Sequence, residues 1–351
     1  MKILFIVPSL ESAGPINVVF ELVKKLSKDN EVHVFSFSKG GRFKDFEQFA
    51  NKIFISSRSK LLQVFFLASD IDLNFYDVVH SHCLLPDIAS AFAFSASNNT
   101  YTTIHNSMDK DYILLYGQLL GNILYRLHLL VLKKIKYRVS CSNSVAEYLL
   151  SHFQLETKSI CNGVSESELK PRKSGNCNSN KLRFVSVGVL NQRKNTQTLL
   201  DAFIKLDIEK YEFIVIGDGP LLSSLNTKYQ NKSNIIFLGN CKNVRDLLSS
   251  SDVFLSSSMA EGLPMALLEA LSEGVTYIIS DILPHLEINR LSPDSGIVVG
   301  NTVDEFFSAM KSITLEQVNE RRIICKTLFD SNFSSRKMAD DYLELYRLCM
   351  L

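Results

Sequence analysis

The chain has 351 residues, of which 46% are hydrophobic and 21% charged, a composition typical of a soluble globular protein with room for two domains. Its 38 basic and 37 acidic side chains give a formal net charge of +1, so there is no basic excess to indicate a nucleic-acid partner. The seven cysteines are scattered and show no CxxC spacing, which argues against a disulfide framework or a zinc site and favours a reducing, cytoplasmic compartment.

Short β-branched runs alternate with helical patterns in the first half of the chain, as expected for parallel strands joined by crossover helices. The apolar run within Met1–Pro8 is too short for a signal peptide and lacks a small-residue cleavage site, so we expect a buried first strand. The predicted strands are Lys2–Val7, Glu31–Phe37, Lys52–Ile55, Asp77–Ser81, Thr100–Ile104 and Tyr137–Cys141, and the predicted helices include Pro15–Ser27 and Pro86–Ser97.

The most apolar segment is Tyr112–Leu132, but no run of about 20 apolar residues predicts a transmembrane helix. Gln118, Asn122 and Arg126 recur in it every four residues, which predicts a core helix with one polar stripe. The alternative is a helix that rests on a membrane surface, assisted by the cations that follow it. Those cations are Lys133, Lys134, Lys136 and Arg138.

Residues Val164 to Lys181 are rich in Ser, Asn, Lys and Glu and have no apolar periodicity, so they predict a linker. The alternation then starts again, which predicts a second parallel α/β domain. Ligands of such sheets lie outside the carboxyl ends of the strands, and two such domains would form a cleft. The predicted strands are Leu182–Val187, Glu212–Ile216, Ile235–Leu238, Val253–Ser256 and Val275–Ser280, followed by two helices after Thr302 and a last helix over Ser334–Met350.

The stretch from Ser258 to Ala270 follows one of these strands and carries the most informative chemistry. Pro264 suits the first position of a helix, and Gly274 suits its end. The first turn of such a helix presents backbone N–H groups and the positive end of its dipole, which together form a seat for a diphosphate.

Two carboxylates flank this predicted anion seat. Glu261 lies in the loop before the turn and Glu269 lies inside the helix. At these positions they can accept hydrogen bonds from sugar hydroxyls on either side of a diphosphate. The alternative is a Glu favoured by the helix dipole and a second Glu that is simply exposed on the helix.

The pair Glu261 and Glu269, separated by seven residues after a strand, resembles the signature of family 4 of the retaining glycosyltransferases. The surrounding sequence is similar to the version found in enzymes that build bacterial surface polysaccharides. The resemblance extends over essentially the whole chain. It implies an α/β, GT-B fold: two Rossmann-like parallel domains facing across a cleft. The acceptor-side domain would cover 1–165, with a C-terminal helix at about 333–351 packing back on it, and the nucleotide-sugar domain would cover 166–332.

The same resemblance implies roles for individual residues of the second domain. Glu269 would hold the nucleotide ribose, Glu261 would contact the donor sugar, and the backbone near Gly262, Leu263 and Pro264 would hold the phosphates. Further donor contacts are expected at Gly188, Arg193, Lys194, Gly217, Asp218, Gly239 and Asn240.

Arg193 and Lys194 form an adjacent cation pair that is similar to the family's basic pair for the diphosphate. A fixed cation there would stabilise the charge that the departing nucleotide gains in the transition state. The alternative is a pair of solvated loop charges. In the family Arg often follows the glycine directly, where this chain has Val189, so Arg193 would supply that charge.

In the first domain, Gly14 lies in a loop similar to the one that approaches the transferred sugar, and His105 ends a strand similar to one that reaches the reacting centre. His105 could donate a hydrogen bond near neutral pH, or it could be a satisfied structural histidine. His80 and His82 alternate along a strand, and we expect them on opposite faces. Metal binding by them is not expected, because no further ligand has a useful spacing.

These features together predict transfer of a sugar from a nucleotide diphosphate-sugar to a saccharide or lipid-linked acceptor, with catalytic roles for His105, Glu261 and Lys194. We expect a front-face displacement in which a phosphate oxygen of the donor takes the acceptor proton. No metal or other cofactor is expected, since fixed cations and a helix dipole stabilise the leaving group. A lipid-linked acceptor would involve peripheral contact with the inner face of the plasma membrane.

Three other functions can be compared with this prediction. A nucleotide-sugar 2-epimerase would use the same donor site without an acceptor, and a non-catalytic GT-B partner subunit would keep the fold alone. The joint presence of Glu261, Glu269 and Lys194 argues against the second. A glycosidase is disfavoured, because an anion site has no use in hydrolysing an uncharged glycoside.

Overall fold

The computed structural model describes residues 1–93, 100–169 and 181–349. The chain divides into two compact units, of which the first is Met1–Ser165 with Ser335–Leu351 and the second is Glu166–Ser334. Within the described ranges, no helix is long and apolar enough to cross a membrane. Most of the predicted linker and one of the cysteines, Cys177, lie outside the described residues.

The first unit is a parallel sheet with the strand order β3-β2-β1-β4-β5-β6-β7, covered by helices. Its six predicted strands are all present, with ends shifted by a residue at most, and β7 was not predicted. The elements in chain order are β1 (Lys2–Val7), α1 (Gly14–Leu26), β2 (Glu31–Ser36), α2 (Phe43–Glu47), β3 (Lys52–Ile55), α3 (Lys60–Asp70), β4 (Val78–His82), α4 (Leu84–Ala93), β5 (Thr100–Ile104), α5 (Met108–Leu132), β6 (Tyr137–Ser140), α6 (Asn143–Phe153) and β7 (Lys158–Ser159).

The second unit is also a parallel sheet, with the order β10-β9-β8-β11-β12-β13. Strand β13 was not predicted. The elements are β8 (Leu182–Val187), α7 (Thr196–Phe203), β9 (Tyr211–Ile216), α8 (Leu222–Tyr229), β10 (Ile235–Gly239), α9 (Val244–Ser249), β11 (Val253–Ser256), α10 (Met265–Ser272), β12 (Thr276–Ser280), α11 (Leu283–Leu291), β13 (Gly296–Val299), α12 (Val303–Ser312) and α13 (Leu315–Asn332), and the chain ends with α14 (Ser335–Leu348).

The central strands are buried on both faces, which explains why they are continuous apolar runs instead of alternating ones. In β1, every residue from Ile3 to Val7 is buried. Helix α1 has Pro15 in its first turn. Its apolar face packs inward. The sequence signal for these elements is therefore strong, and the predicted α/β class with two parallel domains is confirmed.

The last helix, α14, belongs to the first unit through two tyrosines. The Tyr346 hydroxyl lies 2.6 Å from Nδ1 of His80, and the Tyr342 hydroxyl lies 2.7 Å from Oγ1 of Thr103. Both tyrosine side chains are buried. These hydrogen bonds attach the end of the chain to strands β4 and β5.

The prediction of a core helix over 112–132 was wrong. Helix α5 is interrupted at Gly117, which has φ 78° and ψ 172°, and it buries only a narrow face that includes Gly121 and His128. The residues of its outer face are large, apolar and exposed: Leu119, Leu120, Ile123, Leu127 and Leu130. The four-residue spacing of polar residues identified a helix, but it did not reveal that the apolar face beside them is exposed.

Candidate functional site

The order of the second sheet reverses between β8 and β11, and in open α/β sheets ligands bind where the order reverses, beyond the carboxyl ends of the strands. Two loops follow these two strands. The loop after β8 carries Arg193 and Lys194, and the loop after β11 carries Glu261. Topology alone therefore brings the predicted cations and the predicted carboxylate to one edge of the sheet.

Glu261 lies between both cations. Lys194 Nζ forms an ion pair with its Oε1, and Arg193 Nη1 lies 2.9 Å from its Oε2. The Ser258 hydroxyl donates to Oε1 at 2.7 Å, and Arg193 also donates to the carbonyl oxygen of Ala260 at 2.6 Å. The cations are thus fixed by a shared partner and are not solvated loop charges.

The charge balance of this cluster determines its protonation state. The Glu261 side chain is only 8% exposed. Burial raises the pKa of its carboxyl group, but the charges of Lys194 and Arg193 outweigh burial and lower the pKa to about 2. Glu261 is therefore ionised at neutral pH, and one carboxylate beside two cations leaves the cluster with one net positive charge.

Glycines bring the backbone at the ends of β8, β9 and β10 unusually close together. A Cβ on Gly217 would lie 1.9 Å from the carbonyl oxygen of Gly188. A Cβ on Gly188 itself would lie 3.3 Å from Cε of Lys194, so this glycine leaves room for the lysine stem. Gly239 accepts a hydrogen bond from the Gly217 N–H at 2.8 Å. These predicted site glycines therefore occupy one continuous edge.

Two further predicted donor contacts lie along the same edge and are exposed. Asp218 uses its carboxylate to accept from the Gly219 N–H at 2.6 Å, while its carbonyl accepts from the Leu190 N–H at 2.9 Å. Asn240 follows Gly239 directly. Their positions are compatible with a ligand beyond the strand ends, and their roles stay predictions.

We expect Gly217→Ala to destabilise the protein by about 3 kcal/mol, because the new methyl group would overlap a neighbouring carbonyl and φ is +131°. Gly239→Ala is the matched control: its φ is +62°, but a Cβ there meets nothing within 4 Å, so the cost should be about 1 kcal/mol. Urea unfolding of both variants measures the difference. Equal losses would contradict the close approach.

Helix α10 opens toward the same edge, with one correction to the prediction. Pro264 is the residue that caps the helix, with extended backbone, and the first helical residue is Met265. The Leu267 N–H donates to the carbonyl oxygen of Pro264 at 2.9 Å, so only the N–H groups at the very start of the turn lack an acceptor within the helix. The anion seat there stays a prediction. Leu263 is buried beside it, and Glu269 lies in the second turn, half-buried. At the other end, Gly274 has φ +71° and terminates the helix as predicted.

Sequence reasoning missed a buried histidine next to this cluster. His285 at the start of α11 is fully buried, and its Nδ1 lies 2.9 Å from the carbonyl oxygen of Ser280. Its Nε2 has no hydrogen-bond partner among the described residues. Burial lowers its pKa to about 4, and the charges of Glu261 and Lys194 both act on it. The Pro-His pair after a strand was the only signal in the sequence.

The first unit holds the other predicted catalytic group. His105 follows β5, and its Nε2 lies 2.9 Å from Nδ1 of His82. Burial lowers the pKa of His105 to about 3, so at neutral pH it is an uncharged imidazole that can donate only from a neutral N–H. We assign the proton of the shared contact to His82 Nδ1, because His82 Nε2 is buried without a partner in the described structure and a buried N–H there would be costly. His105 then carries its own proton on Nδ1.

The prediction that His80 and His82 face opposite sides was wrong. Their rings stack with centroids 4.4 Å apart, because side chains two residues apart on a strand share a face. Gly14, predicted in the loop after β1, is instead the first residue of α1, and a Cβ there would meet nothing within 4 Å. The glycine is therefore not required by the packing of its own unit.

Two family models match the chain: Glycosyltransferase Family 4 over residues 14–168 and Glycosyl transferases group 1 over residues 168–327. An Escherichia coli protein, UDP-Gal:alpha-D-GlcNAc-diphosphoundecaprenol alpha-1,3-galactosyltransferase, is 30% identical over 193 residues, which are 52% of this chain and 49% of that protein. The capsular polysaccharide biosynthesis glycosyltransferase CapH of Staphylococcus aureus is 26% identical over 98% of this chain and 99% of its own.

Solved structures give the same fold at low identity. Anabaena HepE in complex with UDP and glucose superposes with a TM-score of 0.83 at 16% identity, over 98% of this chain and 99% of that chain. Sucrose-phosphate synthase from Thermosynechococcus elongatus gives 0.82 at 15% identity, over 99% of both chains. Two parallel Rossmann-like units with these neighbours show the α/β, GT-B fold, and the two family models make the chain a glycosyltransferase. Within that class, the chain belongs to glycosyltransferase family 4.

Proposed function

We propose that this glycosyltransferase takes a nucleoside diphosphate-sugar as donor and acts in surface polysaccharide synthesis, with retention of the anomeric configuration. The observation that carries the donor class is the cluster of Lys194, Arg193 and Glu261 at the switch point of the second sheet, beside the first turn of α10. It has one surplus positive charge and lies next to a helix N-terminus, and both features suit a diphosphate. The neighbour HepE binds UDP and glucose, which makes UDP the first nucleotide to test.

In the proposed reaction, the bond from the sugar to the diphosphate breaks as the acceptor hydroxyl attacks the same face. A phosphate oxygen of the donor takes the acceptor proton. Lys194, Arg193 and the α10 N-terminus stabilise the diphosphate charge that grows in the transition state. These protein cations supply the stabilisation, so we propose that the transfer is independent of a metal. Glu261 would exchange part of its ion pairing for the donor sugar, and Glu269 would hold the ribose.

The acceptor is proposed to be a saccharide carried on a lipid. The Escherichia coli relative acts on a diphosphoundecaprenol-linked sugar, and a Campylobacter jejuni relative, 24% identical over 98% of this chain, acts on a PP-undecaprenol-linked one. Such an acceptor would place the reaction at the cytoplasmic face of the membrane.

We expect UDP to stabilise the protein against thermal unfolding, since a ligand that binds the folded state alone at about a hundred times its Kd contributes roughly 2.7 kcal/mol. The measurement is the unfolding midpoint with UDP, other nucleoside diphosphates and their sugars, with uridine as the control that lacks phosphate. If no nucleoside diphosphate shifted the midpoint more than its nucleoside, the proposed anion site would be wrong.

The 2-epimerase alternative uses the same donor site and is separated by incubation with the nucleotide-sugar alone. Formation of an epimer in the absence of acceptor would replace transfer by epimerisation. Transfer to a lipid-linked saccharide, with an unchanged donor pool when the acceptor is omitted, would exclude the epimerase.

A further inference from the structure

The outer face of α5 exposes large apolar side chains in a continuous row. Leu119 is 79% exposed, Leu130 63% and Ile123 55%. Helical steps of 100° place these three within about 40° of one another around the axis, so they share the centre of the face. An exposed apolar patch of this kind marks an interaction site.

The patch continues onto the neighbouring helices. Phe92 at the end of α4 and Phe65 on α3 are both exposed, and their ring centroids are 6.1 Å apart. Lys134, just after α5, lies with its Nζ 5.4 Å from the centroid of the Phe92 ring. We call Phe65, Phe92, Leu119, Ile123, Leu130, Lys133 and Lys134 the α5 surface.

The inner side of α5 is fixed, so this surface cannot turn into the core. Asp87 is 1% exposed and its Oδ2 lies 2.8 Å from Nε2 of His128 on α5. The Tyr112 hydroxyl lies 2.9 Å from the other ring nitrogen of His128. Rotation of the helix would break this buried pair, which is strongly unfavourable.

The charges on the α5 surface have one sign. No Asp or Glu occurs from residue 112 to residue 146. Arg126 and Lys133 lie beside the apolar row, on the same side of the helix, and Lys134, just after the helix, lies over the exposed Phe92 ring. Lys133, Lys134 and Lys136 are exposed.

We propose that the α5 surface binds an anionic lipid bilayer, with the leucines and phenylalanines in the headgroup region and the lysines on lipid phosphates. A second copy of the chain fits less well, because a symmetric contact would place this cation-only face against itself. The proposal does not depend on the proposed donor or reaction, since it concerns binding to lipid alone.

The test is co-sedimentation of the full chain, without donor, with vesicles of phosphatidylglycerol and phosphatidylcholine in equal parts and with vesicles of phosphatidylcholine alone. We expect binding to the anionic vesicles that weakens with salt. The triple variant L119Q/I123Q/L130Q should bind at least about tenfold more weakly. The double variant K133Q/K134Q should lose about thirtyfold on anionic vesicles, at about 1 kcal/mol per cation, and little on neutral ones.

Matched controls are I323Q/L291Q, which removes exposed apolar residues of the second unit, and K205Q/K210Q, which removes two exposed cations there. Both should bind vesicles as the wild type does. Unfolding midpoints of all variants, with and without UDP, separate loss of folding or of donor binding from loss of lipid binding. The proposal would be overturned if the wild-type protein did not sediment with anionic vesicles. It would also be overturned if the wild type were a dimer and the triple variant became monomeric while its sedimentation with vesicles stayed unchanged.

Discussion

Lys194→Ala is expected to lower kcat/KM for the nucleotide-sugar by about a hundredfold to a thousandfold, the usual effect of removing one preorganised donor from a developing anion. The variant removes one of the two cations paired with Glu261, so the net charge of the cluster falls from +1 to zero. Because the diphosphate gains charge as it leaves, kcat should fall more than KM rises. Initial rates at several donor concentrations measure the split.

Lys205→Ala is the matched control. Lys205 lies in the same unit and is also paired with a carboxylate, with its Nζ 2.7 Å from Oδ1 of Asp304, but that pair is exposed on the surface. Its loss should leave both constants within about twofold of the wild type, as for most surface ion pairs. Equal effects of the two substitutions, or a Lys194→Ala enzyme with unchanged kcat, would remove Lys194 from the reaction.

Much of the fold could be predicted because parallel strands are buried on both faces. A run such as Lys2–Val7 therefore stands out as apolar between polar turns. The missed strand β13 is a run of only four residues, Gly296–Val299, and it begins with glycine, a residue that is depleted in strands. Strand β7 has two residues, too few for any periodicity.

The candidate site was predictable where topology dictates it. Loops after neighbouring parallel strands must meet at one edge, which is why Lys194 and Glu261 come together although 67 residues separate them. The sequence could not show that Glu261 is shared by two cations, because side-chain pairing depends on the path of each loop. His285 escaped notice for the same reason: its partner Ser280 is local, but its proximity to the charges of Glu261 is tertiary.

The prediction for α5 failed because periodicity gives the faces of a helix and not their environment. The spacing of Gln118, Asn122 and Arg126 predicted a polar stripe, yet in the structure Gln118 and Arg126 are exposed together with the leucines around them. In the middle of the helix the buried residues are Gly121 and His128, whose small size and polar ring carry no hydrophobic signal.

Glu261→Gln is expected to separate donor recognition from catalysis. The amide keeps the shape of the side chain but removes its charge, so the net charge around Lys194 and Arg193 rises from +1 to +2. UDP, which lacks the sugar, should bind at least as tightly as to the wild type, whereas turnover should fall by at least about a hundredfold. Glu269→Gln is the matched comparison, since loss of the ribose contact proposed for Glu269 should weaken the binding of UDP itself. Titration calorimetry with UDP and measurement of initial rates distinguish the two variants. If Glu261→Gln lost affinity for UDP as Glu269→Gln does, Glu261 would mainly hold the two cations in place.

The same variant tests the charge of Glu261 through pH. The carboxyl group has a pKa of about 2 in the folded protein, against an ordinary value of 4.5. Between these values the unfolded chain binds a proton that the folded protein does not, so stability rises with pH in this window. The stabilisation, on the order of 3 kcal/mol, is complete above about pH 4.5 and is lost as pH falls toward 2. Other carboxylates titrate alike in both proteins, so the difference in unfolding free energy between wild type and Glu261→Gln isolates this group. The unfolding free energy of the wild type minus that of Glu261→Gln should become smaller as pH is lowered from about 6 to 3. If it stayed constant, Glu261 would not be held ionised by Lys194 and Arg193.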